Sequence, residues 1–349
     1  MREKNAHNSS ILLIYTGGTI GMKEDAKDGT LRPFNFDALM EEVPELSKFA
    51  GKIDSYTFSP LIDSSDVEPG MWQRIAELIR DKYEQYDGFV ILHGTDTMAY
   101  SASALSFMLD NLDKAVIFTG SQLPVGRPRT DGKENLISSI EIASAKKSDG
   151  RAMVPEVCIF FNSQLFRGNR CTKADAEGFD AFRSPNYPAL ANAGINIKYN
   201  TQLIHYPASH WGTLSINTQL DTSVNILKLH PGMTPQIARY ILCDRNTRAT
   251  IIETYGSGNA ISSSWFVEIV REATQMGRIV LNVTQCQVGE VNMDLYATGR
   301  ALKEAGVVSG YDSTTEAALA KLFYLLGTNE DNSRVKALLE RNLKGEISN

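Results

Sequence analysis

Two threonines stand directly after short apolar runs and beside glycine, an arrangement that exposes a hydroxyl at the end of a strand. Thr16 lies in IYTGGTIGM, residues 14–22, and Thr95 in FVILHGTDTMAYSASAL, residues 89–105. A threonine hydroxyl is a weak nucleophile at neutral pH until a base takes its proton, and the oxyanion formed on attack needs fixed N–H donors. Tight glycine turns supply such donors. The spacing from Thr16 to Gly21 is that of a dinucleotide-binding loop whose first glycine has been replaced by a hydroxyl-bearing residue. In the second turn Thr95 or Asp96 could instead cap the helix that follows. The repetition of Thr beside Gly at two strand ends argues for a shared crevice.

A base is available in RGNRCTKADAEGFDAF, residues 167–182, where Lys173 follows Thr172 and precedes Asp175. Burial lowers a lysine pKa, while a nearby carboxylate orients the amine and opposes that lowering. Spacing alone does not select Lys173, since most lysines are solvent-exposed. A fourth cluster, LIDSSDVEPG at 61–70, gathers Asp63, Ser64, Ser65 and Asp66 ahead of a helix starting near Pro69. A helix start explains part of it. Acids and hydroxyls together also suit an α-amino acid, whose ammonium meets carboxylates and whose carboxylate meets hydroxyls and N–H groups.

The elements that hold these residues follow from hydrophobic patterning. Ile11–Ile14, Phe89–Leu92, Ala115–Phe118 and Val157–Phe161 are continuously apolar, as strands buried on both faces are. Amphipathic stretches at roughly 70–86, 97–110 and 131–147 separate the later ones. This rhythm predicts a parallel sheet flanked by helices, with its ligand beyond the carboxyl ends of the strands. Residues 199–222 are polar and without helical periodicity, and predict a connection with an edge hairpin. Strand and helix patterns then resume: strands at Val224–Leu229, Ala249–Glu253 and Ile279–Val283, helices from Thr234 and around 262–275, and two more near the C-terminus. The fold class is α/β. A larger N-terminal domain (1–205) carries the threonines, a linker spans 206–222, and a smaller C-terminal α/β domain covers 223–349. The charged segment Met22–Pro33, MKEDAKDGTLRP, predicts a lid over the first turn.

Composition narrows the partners. With 349 residues, 42% of them hydrophobic, the chain can bury a sizeable core, and a net charge of −6 gives no broad attraction to nucleic acid or an anionic membrane. No apolar stretch approaches the ~20 residues of a membrane span. Cys158, Cys171, Cys243 and Cys286 contain no C-x-x-C pair, which argues against a metal cage and for reduced thiols. The polar start MREKNAHNSS lacks an apolar h-region, which predicts a cytoplasmic protein.

Taken together, IYTGGTIGM, PLIDSSD, GFVILHGTDTMAYSASALSFML, TGSQLP, RGNRCTK and LNVTQC resemble the cytoplasmic (type I) class of bacterial L-asparaginases over nearly the whole chain. TGGTI and HGTDT in this order carry most of the specificity. The resemblance implies a two-domain α/β fold, no cofactor or metal, and hydrolysis of L-asparagine in a homodimer or homotetramer. It implies Thr16 as the acylated nucleophile, and Thr95, Asp96 and Lys173 as a proton-transfer group. It places Asp63, Ser64 and Ser65 on the substrate's α-amino and α-carboxylate groups, with Asp96 assisting and Asn259 of YGSGN lent by a neighbouring subunit. Many relatives have a lid tyrosine; this sequence has none, with Thr30 near its place. Some carry a regulatory asparagine pocket near the TQC segment. Cys286 is present here, but Glu253 stands where a basic residue would suit the effector; the plainer expectation for Cys286 is a buried small hydrophobe.

Two other functions fit parts of the pattern. One is the asparaginase-like subunit of a tRNA-dependent amidotransferase, expected to carry an extra N-terminal domain and a basic surface, neither of which is read here. The other is a non-catalytic asparagine sensor, which needs the Asp63–Ser65 cluster but not the Thr-Asp-Lys set. Glutaminase activity is an expected side reaction, because one methylene changes binding by only about 1–3 kcal/mol.

Overall fold

The computed structural model describes residues 9–24, 31–33, 43–48, 50–206, 213–329 and 331–348. The chain divides into two compact units, one of residues 1–184 and 188–217, the other of residues 185–187 and 218–349. The backbone therefore passes between them at 184/185, 187/188 and 217/218. Among the described residues no helix is long and apolar enough to cross a membrane.

The larger unit is built on an eight-stranded sheet. Its strands are β1 (Ser10–Tyr15), β2 (Lys52–Thr57), β3 (Gly88–Leu92), β4 (Ala115–Thr119), β5 (Val157–Phe161), β6 (Gln164–Arg167), β7 (Ala191–Asn192) and β8 (Lys198–Tyr199), in the spatial order β8-β7-β6-β5-β4-β3-β1-β2. The five from β5 to β2 in that order run parallel, and β6, β7 and β8 pair antiparallel. The apolar runs became the central strands because helices cover them: α2 (Met98–Met108) packs on β5, and α3 (Gly132–Ser144) on β3 and β4. α1 (Pro69–Lys82) packs against α2. Every residue of β3, β4 and β5 is buried.

β2 is the strand that the patterning did not reveal. Its sequence KIDSYT is mostly exposed, and as an edge strand it needs only one paired side and no buried face. The expected edge hairpin within 199–222 differs too: Ser215–Ile216 pairs with Leu109–Asp110, far back in the chain. In the segment expected to form a lid, Met22–Glu24 pair antiparallel with Leu31–Pro33, while 25–30, including Thr30, lie outside the described residues.

The smaller unit has four parallel strands in order, β9 (Val224–Lys228), β10 (Ala249–Thr254), β11 (Ile279–Thr284) and β12 (Val308–Ser309). Side chains alternate between two cores. Ile251 and Leu281 face α7 (Thr315–Thr328) and α8 (Asn332–Leu339); Ile252 and Val280 face α4 (Pro235–Leu242), α5 (Ser264–Gln275) and α6 (Ala297–Glu304). Three described helices thus follow β11, where two are expected from the sequence. Asn186, from the short inserted segment, donates to the carbonyls of Gly289 (3.0 Å) and Asp312 (3.1 Å), and its Oδ1 accepts from the Gly289 N–H (2.9 Å).

The C-terminal residues are held by a buried ion pair. Lys321 Nζ meets Glu346 at 2.6 Å and donates to the carbonyls of Leu339 and Arg341, with the two side chains 4% and 0% exposed. Burial draws the Lys321 pKa below its ordinary value, against the pull of Glu346. Lys321→Met leaves a carboxylate buried without its cation, and should cost about 3–5 kcal/mol in urea unfolding, whereas Lys303→Met, in an exposed pair, should cost under about 1 kcal/mol.

Candidate active site

Register builds the site. Tyr15 lies opposite Leu92, and Leu92 opposite Thr119, so β1, β3 and β4 end abreast. Tyr15 also lies opposite Thr57, which brings the end of β2 to the same edge. Backbone bonds carry the alignment into the turns: Thr16 N–H donates to Leu92 O (3.0 Å), His93 N–H to Thr119 O (3.0 Å) and Ile62 N–H to Thr16 O (2.9 Å). The Thr16 turn, the HGTDT turn, the TGSQLP turn and the Asp63–Asp66 turn therefore occupy one end of four neighbouring parallel strands. This is where ligands bind in such sheets.

Glycine lets these turns touch. A Cβ on Gly18, which has φ +90°, would stand 2.5 Å from Gly94 N, and one on Gly94 would stand 2.5 Å from Ser64 Oγ. A Cβ on Gly17 (φ +142°) would reach 2.0 Å from Ile62 O. Three of the four turns are thus in direct contact.

Of the expected site residues, the structure brings seven onto this edge. Thr16 is 1% exposed, and its hydroxyl donates to Leu92 O at 2.8 Å. Lys173 sits on a two-residue antiparallel pairing, Thr172–Lys173 with Phe182–Arg183. Its Nζ donates to Thr95 Oγ1 at 2.8 Å and to Asp96 Oδ1 at 2.7 Å. Asp96 N–H donates to Ser64 Oγ, and Ser64 Oγ to Asp96 Oδ2, both at 3.4 Å. Asp63 Oδ1 accepts from Ser65 N–H (2.9 Å) and Ser65 Oγ (2.8 Å), which hold its carboxyl below the usual pKa and keep it anionic. Capping does not account for Thr95 or Asp96, because α2 begins after Thr97, whose own hydroxyl donates to Ser64 O at 2.6 Å.

Asn259 belongs to the smaller unit, where its backbone pairs with Tyr255 and its Oδ1 accepts from Thr298 Oγ1 (2.9 Å). Glu253 accepts from Thr315 Oγ1 at 2.7 Å. Cys286 is exposed, which corrects the expectation of a buried small hydrophobe: it follows the end of β11 in a turn, where Thr284 Oγ1 accepts its N–H.

Beneath the HGTDT turn lies a polar chain that spacing did not single out. Trp72 Nε1 can only donate, and it reaches Ser101 Oγ at 2.9 Å. Gly94 O can only accept, and it lies 2.6 Å from His93 Nδ1. His93 Nδ1 must therefore carry the proton, and its Nε2 accepts from the Ser101 hydroxyl at 2.9 Å. Full burial lowers the His93 pKa to about 4, so the ring is neutral.

Two family models match the chain. One described as asparaginase, N-terminal, covers residues 10–205, and one described as glutaminase/asparaginase C-terminal domain covers 223–339. The chain belongs to the asparaginase family. It is 46% identical to L-asparaginase 1 of Escherichia coli (strain K12), over 97% of this chain and 98% of that protein. The crystal structure of L-asparaginase I from Vibrio cholerae matches with a TM-score of 0.88 at 42% identity, over 98% of this chain and 99% of that one. A glutamyl-tRNA(Gln) amidotransferase polypeptide of Saccharolobus islandicus is 33% identical, over 99% of this chain and 77% of that protein. The two-domain α/β architecture expected from the sequence is thus the family's.

The turn geometry and the buried ring each lend themselves to measurement. Gly18→Ala forces a side chain against the Gly94 backbone at positive φ, and should cost at least about 1–3 kcal/mol, read as a lower urea midpoint. Because folded His93 has a pKa near 4 and the unfolded ring one near 6.5, the unfolded chain binds the extra proton between those values, so stability is lost as pH falls through that window. From about pH 7 to about pH 5 this amounts to roughly 2 kcal/mol, and His93→Gln should lack that slope.

Proposed function

We propose that the protein hydrolyses L-asparagine to L-aspartate and ammonia through a threonine acyl-enzyme. The observation that carries this reading is the Lys173 amine shared between Thr95 and Asp96 on a turn that abuts the Thr16 turn, in a family member similar from end to end to an L-asparaginase 1.

In the reaction, Asp63 and Asp96 take the substrate's ammonium, and Ser64 and Ser65 with nearby N–H groups take its α-carboxylate. Thr16 first gives up its bond to Leu92 O and passes its proton to the Thr95–Lys173–Asp96 group as Oγ1 attacks the side-chain amide carbon. N–H groups of the glycine turns receive the oxyanion. The carbon–nitrogen bond then breaks, the nitrogen takes a proton from the Thr95 side, and ammonia departs. Lys173 donates to Thr95 Oγ1, which lowers the cost of negative charge on that oxygen while its proton moves. Water next attacks the ester carbon and loses its proton to the same group, which returns a proton to Thr16 Oγ1 as the ester C–O bond breaks and aspartate leaves.

The same reading includes a cytoplasmic homo-oligomer, dimer or tetramer, in which Asn259 of one copy completes the site of another. Tyr240 (82% exposed) and Val288 (71%) leave apolar surface on the smaller unit for such contact. Slow turnover of glutamine belongs to it as a minor activity.

Purified protein should release ammonia from L-asparagine with no tRNA or partner present; failure to do so would overturn the reading in favour of an amidotransferase component or a sensor. Thr16→Ala and Thr95→Val should each lower kcat by at least about 10²–10⁴-fold. Acid-quenched enzyme should carry the aspartyl adduct on the peptide containing Thr16, and an adduct on Thr95 instead would exchange their roles.

A further inference from the structure

Lys173 is carried by a short strand and its loop outside the eight-stranded sheet. Its strand is two residues long, and the loop that returns to Phe182 is closed by bonds from Ala174 and Asp175 N–H to Ala181 O (2.7 and 3.3 Å). Within the loop, Asp175 Oδ1 accepts from Glu177 and Gly178 N–H, each at 2.8 Å. A side chain from another element fastens the loop from outside. Gln122, at the carboxyl end of β4, donates from Nε2 to Gly178 O (3.0 Å) and Ala176 O (3.3 Å).

Gln122 is itself fixed. Asp131 accepts from Gln122 N–H (2.9 and 3.1 Å) and Leu123 N–H (3.1 Å), and Asn135 Nδ2 donates to Asp131 (3.3 Å) and to Gly120 O (3.0 Å). A continuous set of bonds thus runs from α3 through the end of β4 to the loop that carries Lys173. The other groups that meet the Lys173 amine, Thr95 and Asp96, follow β3, the neighbour of β4.

We propose that Gln122 is a positioning residue for Lys173: its carboxamide ties the 174–181 loop to the end of β4 and so fixes the Lys173 amine against Thr95 and Asp96. The inference rests on the reading of Lys173 given above. Gln122 acts at the loop backbone, apart from the Asp63–Ser65 cluster that holds the amino-acid end of the substrate, so its loss falls on the chemical step. Displacing a reacting group by even about 1 Å costs on the order of 10²-fold.

The test compares steady-state kinetics and the pH profile of kcat for wild type, Gln122→Met, Gln122→Glu and Lys173→Met, with asparagine as substrate. Met keeps the volume and removes both donors; Glu keeps the shape and sets a carboxylate against two carbonyls. Gln122 is only partly buried, so both fit the site. The expected result for both Gln122 variants is a fall in kcat of about 10–100-fold with KM within about twofold, an altered pH limb of kcat, and an unchanged melting temperature. Unchanged kcat, a rise in KM alone, or a lower kcat with an unmoved pH profile would overturn the inference. Full activity in Lys173→Met would instead remove the underlying reading, so the two failures are distinguishable.

Discussion

Parallel pairing that sets Tyr15, Leu92 and Thr119 abreast is the constraint from which the site follows. A one-residue slip of β1 against β3 would turn every side chain of β1 to the opposite face and carry Thr16 away from the HGTDT turn. The buried aliphatic runs forbid that slip, because it would exchange which residues of Ile11–Ile14 meet each helical layer. Packing energy deep in the sheet thereby fixes polar atoms at its rim. The glycines complete the arrangement, since Gly18 and Gly94 let two main chains meet where any side chain would separate them.

Two threonine hydroxyls on this rim have opposite polarity. That of Thr16 donates a hydrogen bond to a main-chain carbonyl, and that of Thr95 accepts one from an amine. Underneath, the Trp72–Ser101–His93–Gly94 chain has one polarity throughout, because it begins at a group that only donates and ends at one that only accepts. A neutral imidazole is the only form that completes it. The turn therefore rests on a polar support in which each hydrogen has one destination.

The legible part of the sequence was the part governed by local rules. Phe89–Leu92 and Ala115–Phe118 are recognisable because a strand buried on both faces must be continuously apolar, and the glycines of TGGTI and HGTDT are recognisable because a turn needs them. β2 escaped because KIDSYT is exposed and owes its conformation to pairing with β1. Lys173 could not be chosen by spacing, since its place is set by a two-residue pairing and by Gln122, far off in sequence. The Lys321–Glu346 pair was equally invisible: neither residue type signals burial, and each is tolerated inside because the other and nearby main-chain groups meet it there. Cys286 misled in the opposite direction, since a free cysteine is usually buried and this one lies on a surface turn.

The short segment Pro185–Tyr187 belongs to the smaller unit although larger-unit residues flank it on both sides in the chain. Asn186 closes a paired bond with Gly289 and supports the carbonyl of Asp312, yet its codon lies ahead of everything else in that unit. Expressing residues 218–349 as a separate polypeptide would deliver a unit without the amide that bonds Gly289 and Asp312 beyond the ends of β11 and β12. Gene fission at 217/218 would part Asn186 from the unit it braces, so circular permutants or split reporters built on this scaffold keep those bonds by carrying the tripeptide with the half that uses it.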